Sequence, residues 1–178
     1  MAKKVEFKKW HLVVLVLLVV LTVVAKFFGY YWPHVTVKLS DAKFNVLVAD
    51  TNKHKLKGLS GVDNMGEYGG MVFVFGDSGI YTMVMRDMKF ALDIVWLKSA
   101  ENNRCFVGSF FRQLFFGLRP PCQAQVVEIA PQAAPEAGVD ETALTRYFTT
   151  KASNLVLELP SGYALSHGLK IGDVIEFK

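Results

Sequence analysis

The strongest hydrophobic pattern lies near the N-terminus, where residues 12–25 form an apolar run broken only by the hydroxyl of Thr22. Extended from Trp10 to Trp32, the stretch would be about 34 Å long as a helix, which matches a hydrocarbon core of about 30 Å. Its ends are aromatic, and Lys26 lies close enough to one end for its side chain to reach the headgroups. The pattern predicts a transmembrane signal-anchor helix over residues 10–32. A signal peptide cleaved near Ala25 is the alternative.

After Pro33 the pattern changes to short β-branched runs separated by turn residues, which is typical of strands. We expect a hairpin from the first two runs, and two further strands joined through residues 77–79. A short helix capped by Asp50 or Thr51 and another near residues 162–168 are the expected helices. The predicted strands are residues 35–40, 44–50, 70–76, 80–86, 92–99, 125–130, 155–160 and 174–177. The sequence therefore predicts an α+β fold, a compact β-rich barrel-like domain of short, mostly antiparallel strands over residues 33–178.

The net charge of +4 belongs to the N-terminus alone. Residues 1–32 contain five basic residues and one acidic residue, whereas residues 33–178 contain fifteen of each sign. The basic tail, residues 1–9, is expected in the cytoplasm by the positive-inside bias, and the C-terminal domain is then extracytoplasmic, on a single-pass protein of the cell membrane. Because the folded part is neutral, its composition gives no reason to expect nucleic acid as a partner.

Three blocks of the sequence, within residues 49–77, 81–97 and 147–177, resemble a bacterial and archaeal family called domain of unknown function 192. They occur in the family's order. The resemblance implies a compact β-rich barrel with little helix, and it implies no activity, because none is established for the family. In the central block Val84 precedes Met85-Arg86-Asp87, where the family usually has a tryptophan before a Met-Lys-Asn triplet.

Four acids, Asp50, Asp87, Asp93 and Glu158, fall in the blocks that resemble the family, so they are the acids to consider as a cluster. The structural alternative is that Asp50 caps a helix, Asp87 lies in a turn and Asp93 binds buried backbone. The sequence contains no HExxH, GxSxG, P-loop or CxxC motif. It therefore gives no catalytic residue, cofactor or His- or Cys-based metal site, and enzyme activity stays open with the balance against it.

The segment at residues 83–88 places three methionines in the pattern Met-x-Met-x-x-Met. Thioethers are ligands for Cu(I), and in a strand Met83 and Met85 would point the same way. The alternative is that these methionines fill the core. The sequence thus offers a candidate ligand cleft for a small ligand or copper, formed by Asp50, Met83, Met85, Asp87 and Asp93.

The family generally joins strands 92–99 and 125–130 by a tight turn, whereas this chain has an insertion over residues 100–124. Apolar residues in the insertion recur at helical spacing and form one stripe of a helix over residues 105–118. Such a helix either closes an open end of the barrel or docks on a membrane protein, an envelope protein or the bilayer surface. The residues assigned to this contact are Phe106, Phe110, Phe111, Leu114, Phe115 and Leu118.

Cys105 and Cys122 are the only cysteines, and they bracket the predicted helix. An oxidising extracytoplasmic space favours a disulfide between them, which would stabilise the domain by roughly 3 kcal/mol. Intermolecular pairing and two free thiols are the alternatives. Taken together, the sequence indicates a membrane-anchored binding or assembly module, with small-ligand or copper binding as the second hypothesis.

Overall fold

The computed structural model describes residues 9–30, 32–39, 42–99 and 122–178, without the side chains of residue 25 and residues 27–30. The chain divides into two compact units, one ending at Trp32 and the other spanning Pro33–Lys178. Helix α1 of the first unit runs over Lys9–Tyr30. Its aliphatic side chains from Leu12 to Val24 are exposed. Within the described residues, no helix has both the length and the apolar character required to cross a membrane.

The second unit is built on a closed barrel of seven strands in the order β1-β2-β3-β8-β5-β6-β9. This architecture confirms the predicted β-rich, barrel-like fold class. The strands of the barrel are β1 His34–Leu39, β2 Ala42–Ala49, β3 Met71–Gly79, β5 Leu92–Lys98, β6 Gln123–Ala133, β8 Ser153–Pro160 and β9 Val174–Phe177. Two short strands, β4 Thr82–Met83 and β7 Tyr147–Phe148, form a separate sheet.

The strands pair mostly antiparallel, as the sequence predicts. Among the described strand pairs, β2 and β3 alone are parallel, with Leu47 opposite Met71. Parallel neighbours need a crossover connection. In this chain the crossover over residues 50–70 carries helix α2, Asn52–Lys57.

The barrel interior is filled by aliphatic side chains from alternating strand positions, as the period of two along a strand requires. On β8 these are Leu155, Leu157 and Leu159, which pack with Val72, Val95 and other buried residues of one cluster. The intervening residues of β8 point to the outer face of the barrel. The segments that cover this outer face form the candidate site described below.

The prediction of a strand over residues 80–86 is wrong in its bounds. Residues 77–79 continue β3, and only Thr82–Met83 forms a strand, which pairs with β7. The chain turns at Asp87, whose φ of 53° is incompatible with a continuing strand. The partner strand β7 lies between the predicted strands 125–130 and 155–160, where no strand was predicted, and β6 also extends past residue 130 as far as Ala133.

Both predicted short helices are present. Thr51 is the N-cap of α2 and accepts a hydrogen bond from the backbone N–H of His54, while Gly58 ends the helix at a φ of 47°. Helix α3 spans Tyr163–Ser166 and follows Gly162, whose φ is 82°.

Candidate functional site

Glu158 lies on the outer face of the barrel, at the middle of a three-strand surface. Its register neighbours are Met71 on β3 and Ile94 on β5. Although it faces outward, the residue is only 4% exposed. The outer face of these strands is therefore covered, and the barrel wall is buried on both sides.

Two segments provide this cover, and hydrogen bonds hold them together. The first is α2 with the loop that follows it, and the second runs from Tyr81 to Met88. The Ser60 hydroxyl donates to the backbone carbonyl of Arg86 at 2.8 Å, and the Arg86 guanidinium donates to the carbonyl of Leu56 at 3.2 Å. The second segment is also tied to the barrel, because Trp96 Nε1 donates to the carbonyl of Tyr81 at 2.9 Å.

Between the cover and the barrel lies a cavity of about 490 Å³, within the range of about 300–1,000 Å³ that is usual for small-molecule sites. Its floor comes from the barrel wall and consists of Phe73, Phe75 and Glu158. One side consists of residues 52 and 55–60, which belong to the α2 segment. The other side consists of Thr82, Met83, Val84, Arg86 and Met88.

Among the residues that the structure describes, the floor carboxyl group of Glu158 has no electrostatic partner that would explain its burial. Its Oε2 atom is inaccessible to solvent and forms no hydrogen bond with any described residue. Burial removes the carboxylate from water and raises the pKa of Glu158 from its ordinary value of 4.5 to about 8. At neutral pH the group is mostly protonated, so Glu158 contributes an uncharged carboxyl group to the cavity floor.

Three basic side chains line the same cavity. Lys55 Nζ lies 4.9 Å from the centroid of the Phe75 ring, and partial burial lowers the pKa of Lys55 while the charge of Asp50 opposes that shift. Lys57 Nζ donates to the carbonyl of Ser60 at 2.5 Å. Arg86 forms an ion pair with Glu141 at 2.7 Å, so its charge is compensated by a neighbour.

Of the three predicted thioether ligands, two line the cavity. Met83 and Met88 are lining residues. Met85 is completely buried, but it is not part of the cavity wall. The structure therefore brings two of the three sulfur atoms to one site.

The aspartates of the predicted cleft lie elsewhere, each with its own contacts. Asp93 is fully buried and accepts hydrogen bonds from the backbone N–H groups of Gln132, Gly162 and Ala164 at 2.9–3.0 Å. Asp87 lies in a turn and accepts a long hydrogen bond of 3.4 Å from the N–H of Gly138. Both positions agree with the structural alternative for these residues.

Asp50 does not cap α2, because Thr51 has that role. Its carboxylate instead contacts Nδ1 of His54 at 2.9 Å, and both side chains are buried. The pair fixes the start of α2 next to the cavity, but neither residue lines it. Across the described ranges, no group of three or more His, Cys, Asp or Glu residues is arranged to hold a metal ion.

The predicted contact helix over residues 105–118 and Cys105 lie outside the described residues. Cys122 is described, and the described part of the chain contains no free cysteine. The disulfide and the contact residues Phe106, Phe110, Phe111, Leu114, Phe115 and Leu118 stay predictions.

Comparison with known sequences supports the resemblance. Residues 35–103 match the family model DUF192, described as "Uncharacterized ACR". The DUF192 match includes the α2 segment, β3, β4 and β5, and thus both covering segments and two of the three strands of the floor. Glu158 lies beyond it, and so does helix α1. No curated protein matches the chain.

Two solved structures share the fold. One is a protein of unknown function from Novosphingobium aromaticivorans, with 24% sequence identity, a TM-score of 0.56, and coverage of 82% of this chain and 84% of the other. The second is described as a candidate transcription regulator from Sinorhizobium meliloti, with 20% identity, a TM-score of 0.59, and coverage of 83% and 95%. At these identities the likeness establishes the fold alone.

Proposed function

We propose that the barrel domain is a small-ligand-binding module whose site is the cavity between the barrel and its cover. The observation that carries this proposal is the buried Oε2 atom of Glu158, which has no hydrogen-bond partner among the described residues although Glu158 lines a cavity. Buried polar atoms are nearly always paired, and each exception calls for an explanation, of which a functional role is one. A ligand with an acceptor atom would complete the pairing of Glu158.

The composition of the wall agrees with this function. Small-molecule sites are mostly apolar and contain a few polar groups that orient the ligand. Here the aromatic rings of Phe73 and Phe75 and the side chains of Met83 and Met88 provide apolar surface, and Glu158 with the lysines of α2 provides polar groups. The proposal is a form of the small-ligand hypothesis, with a site that shares Met83 with the predicted cleft.

Copper binding is the second candidate, because Met83 and Met88 both line the cavity. Cu(I) favours soft thioether ligands. The basic residues in the same wall oppose the binding of a metal cation, and the small-ligand proposal is therefore the better supported of the two.

We further propose that residues 10–32 anchor this module in the cell membrane, with the barrel domain on the extracytoplasmic side. The support is the exposed aliphatic surface of α1 and the basic tail that precedes it. Docking through residues 105–118 belongs to the same proposal, and its support is the apolar stripe in the sequence. The module would then hold its ligand beside a membrane or envelope partner.

A blocked cavity tests the binding proposal. Val84 is a half-buried lining residue, and in Val84→Trp the larger side chain would occupy the cavity. The control is Ile80→Trp, which places the same side chain at an exposed position outside the wall. A library of neutral and charged fragments, with Cu(I) as a separate sample, would be screened by ligand-observed NMR against the full chain in lipid nanodiscs.

We expect fragments that bind the wild type and Ile80→Trp but not Val84→Trp. Equal binding to all three proteins, or no fragment bound by any of them, would contradict a ligand site in this cavity. Binding of Cu(I) alone, abolished in Val84→Trp, would favour the second candidate.

A further inference from the structure

The charge distribution around the cavity is one-sided at neutral pH. Lys55 and Lys57 extend from α2 to the cavity wall, and Arg86 faces them from the opposite side. Glu141 neutralises Arg86 through the ion pair at 2.7 Å. Asp50 is near Lys55, but its carboxylate is already bound to His54 at 2.9 Å. The two lysines therefore give the cavity a positive rim.

The single acidic group of the wall does not reverse this charge. Glu158 is buried without a cationic partner in the described ranges, and its pKa of about 8 leaves it mostly uncharged at pH 7. A cation in the cavity would be repelled by the rim and would have to ionise a buried carboxyl group, which costs free energy. An anion meets neither obstacle.

Each lysine also has donor capacity for an anion. A lysine ammonium has three N–H donors, and one of those on Lys57 is used in the hydrogen bond to Ser60. Lys55 lies over the Phe75 ring, so its ammonium group is held at the boundary between the rim and the apolar floor. A ligand whose carboxylate lies at this boundary would accept charge-assisted hydrogen bonds from the lysines, while the apolar part of the same ligand covers the aromatic rings.

We propose that the cavity is selective for small carboxylic acids with an apolar body, bound with the carboxylate at Lys55 and Lys57 and the body against Phe73, Phe75 and Met83. Glu158 would donate a hydrogen bond to any acceptor atom on the buried end of such a molecule. This inference rests on the proposed ligand-binding function and adds the class of ligand.

Three probes of the same shape but different charge test the selectivity. They are 3-phenylpropanoate, 3-phenyl-1-propanol and 3-phenylpropylammonium, titrated by calorimetry at pH 7 into the full chain in lipid nanodiscs, with empty nanodiscs as the blank. Because charge-assisted hydrogen bonds add to the apolar contact, the carboxylate is expected to bind about tenfold more tightly than the alcohol. The ammonium probe is expected to bind more weakly than the alcohol.

Substitutions on one helix identify the groups responsible. Lys55→Gln and Lys57→Gln should each reduce the preference for the carboxylate over the alcohol, and the double variant should abolish it. The matched control is Lys53→Gln, which makes the same charge change on the same helix. Lys53 is not part of the cavity wall. The control should leave the preference unchanged.

The outcomes separate the two proposals. Tighter binding of the ammonium probe or the alcohol, blocked in Val84→Trp, would overturn the selectivity for acids and leave a ligand site in place. A carboxylate preference that survives the double lysine substitution would also overturn it. If none of the three probes binds and the fragment screen is equally negative, the ligand-binding function itself fails.

Discussion

The carboxyl group of Glu158 is kept uncharged by burial rather than by a partner. Desolvation raises its pKa to about 8, whereas an unfolded chain would expose it at its ordinary value of 4.5. Between these pH values the unfolded state releases a proton that the folded state retains. The stabilising contribution of the protonated group is thus complete below pH 4.5 and is lost as the pH rises towards 8.

We predict that Glu158→Gln removes much of this pH dependence. Each pKa unit corresponds to about 1.4 kcal/mol, so the wild-type free energy of unfolding should fall by up to about 5 kcal/mol from pH 4.5 to pH 8 because of Glu158. The measurement is thermal unfolding of the full-length protein at pH 5 and pH 8. The control Glu67→Gln changes an exposed acid and should keep the wild-type profile. Identical profiles for all three proteins would count against a buried, ionisable Glu158.

Asp93 shows the opposite solution for a buried acid. Its carboxylate accepts three backbone N–H groups, two from the start of the α3 region and one from β6. These hydrogen bonds pair the buried carboxyl oxygens with backbone donors, so Asp93 is not left unsatisfied in the interior. The sequence offered backbone binding as the structural alternative for Asp93, but it could not name the partners, because Gln132, Gly162 and Ala164 lie 39, 69 and 71 residues further along the chain.

Glu158 was harder to interpret from sequence. The run Leu155 to Leu159 alternates, and a polar residue between two leucines is typical of the solvent side of a strand. Only the positions of α2 and the segment at residues 81–88 show that this side is covered. Those segments are far from Glu158 along the chain, so no local pattern could assign it to a cavity floor.

At the scale of elements, β3 and β8 approach each other closely where Gly70 precedes β3. A Cβ atom at Gly70 would overlap the backbone carbonyl oxygen of Glu158. The backbone of β8 cannot move without disturbing its pairing to β5 on the other side. The absence of a side chain at Gly70 therefore permits the register that places Glu158 in the cavity.

Gly70→Ala is accordingly expected to destabilise the protein by about 2 kcal/mol or more, because overpacking against backbone forces strands apart. Gly79→Ala, at the other end of β3, is the control. Its new Cβ would lie 3.7 Å from Tyr81, an ordinary van der Waals contact, and the change should stay within about 0.5 kcal/mol. Thermal unfolding of both variants measures the difference, and equal stabilities would show that β8 can shift.

The strands themselves were largely predictable, because β-branched runs bounded by turn residues define them locally. Which strands lie next to each other in the barrel could not be predicted in this way. The sequence predicted strands at residues 70–76 and 80–86 joined through residues 77–79, but it did not predict that β3 pairs with β2 and β8 or that β4 pairs with β7. Strand order depends on contacts between distant segments, which the pattern of one segment does not contain.

At the scale of the whole molecule, the boundary between Trp32 and Pro33 separates two units of different character. The first has an exposed aliphatic helix, and the second has a filled barrel interior. A helix with exposed aliphatic side chains from Leu12 to Val24 is unfavourable in water. This contrast is the physical basis of the proposed anchor.

We predict that the full chain stays in the membrane fraction after an alkaline carbonate wash, whereas a chain that starts at Pro33 is released into the supernatant. Retention depends on the apolar surface of α1, so replacing Leu15, Leu18 and Leu21 by lysine should also release the full chain. Release of the unaltered full chain would contradict the anchor. The intact mass of the membrane-bound form distinguishes a retained helix from cleavage near Ala25.

The parallel pairing of β2 with β3 determines where a cover can form. An antiparallel connection at this point would need only a few residues, and the segment at residues 81–88 would then be the one remaining cover described for the outer face of β3, β8 and β5. The crossover instead carries the chain from one end of the barrel to the other, along the outside of the wall. Evolution can therefore alter residues 52–60 to change what the cavity accepts while the seven strands keep their order, so relatives with this strand order are expected to differ most in specificity along the crossover.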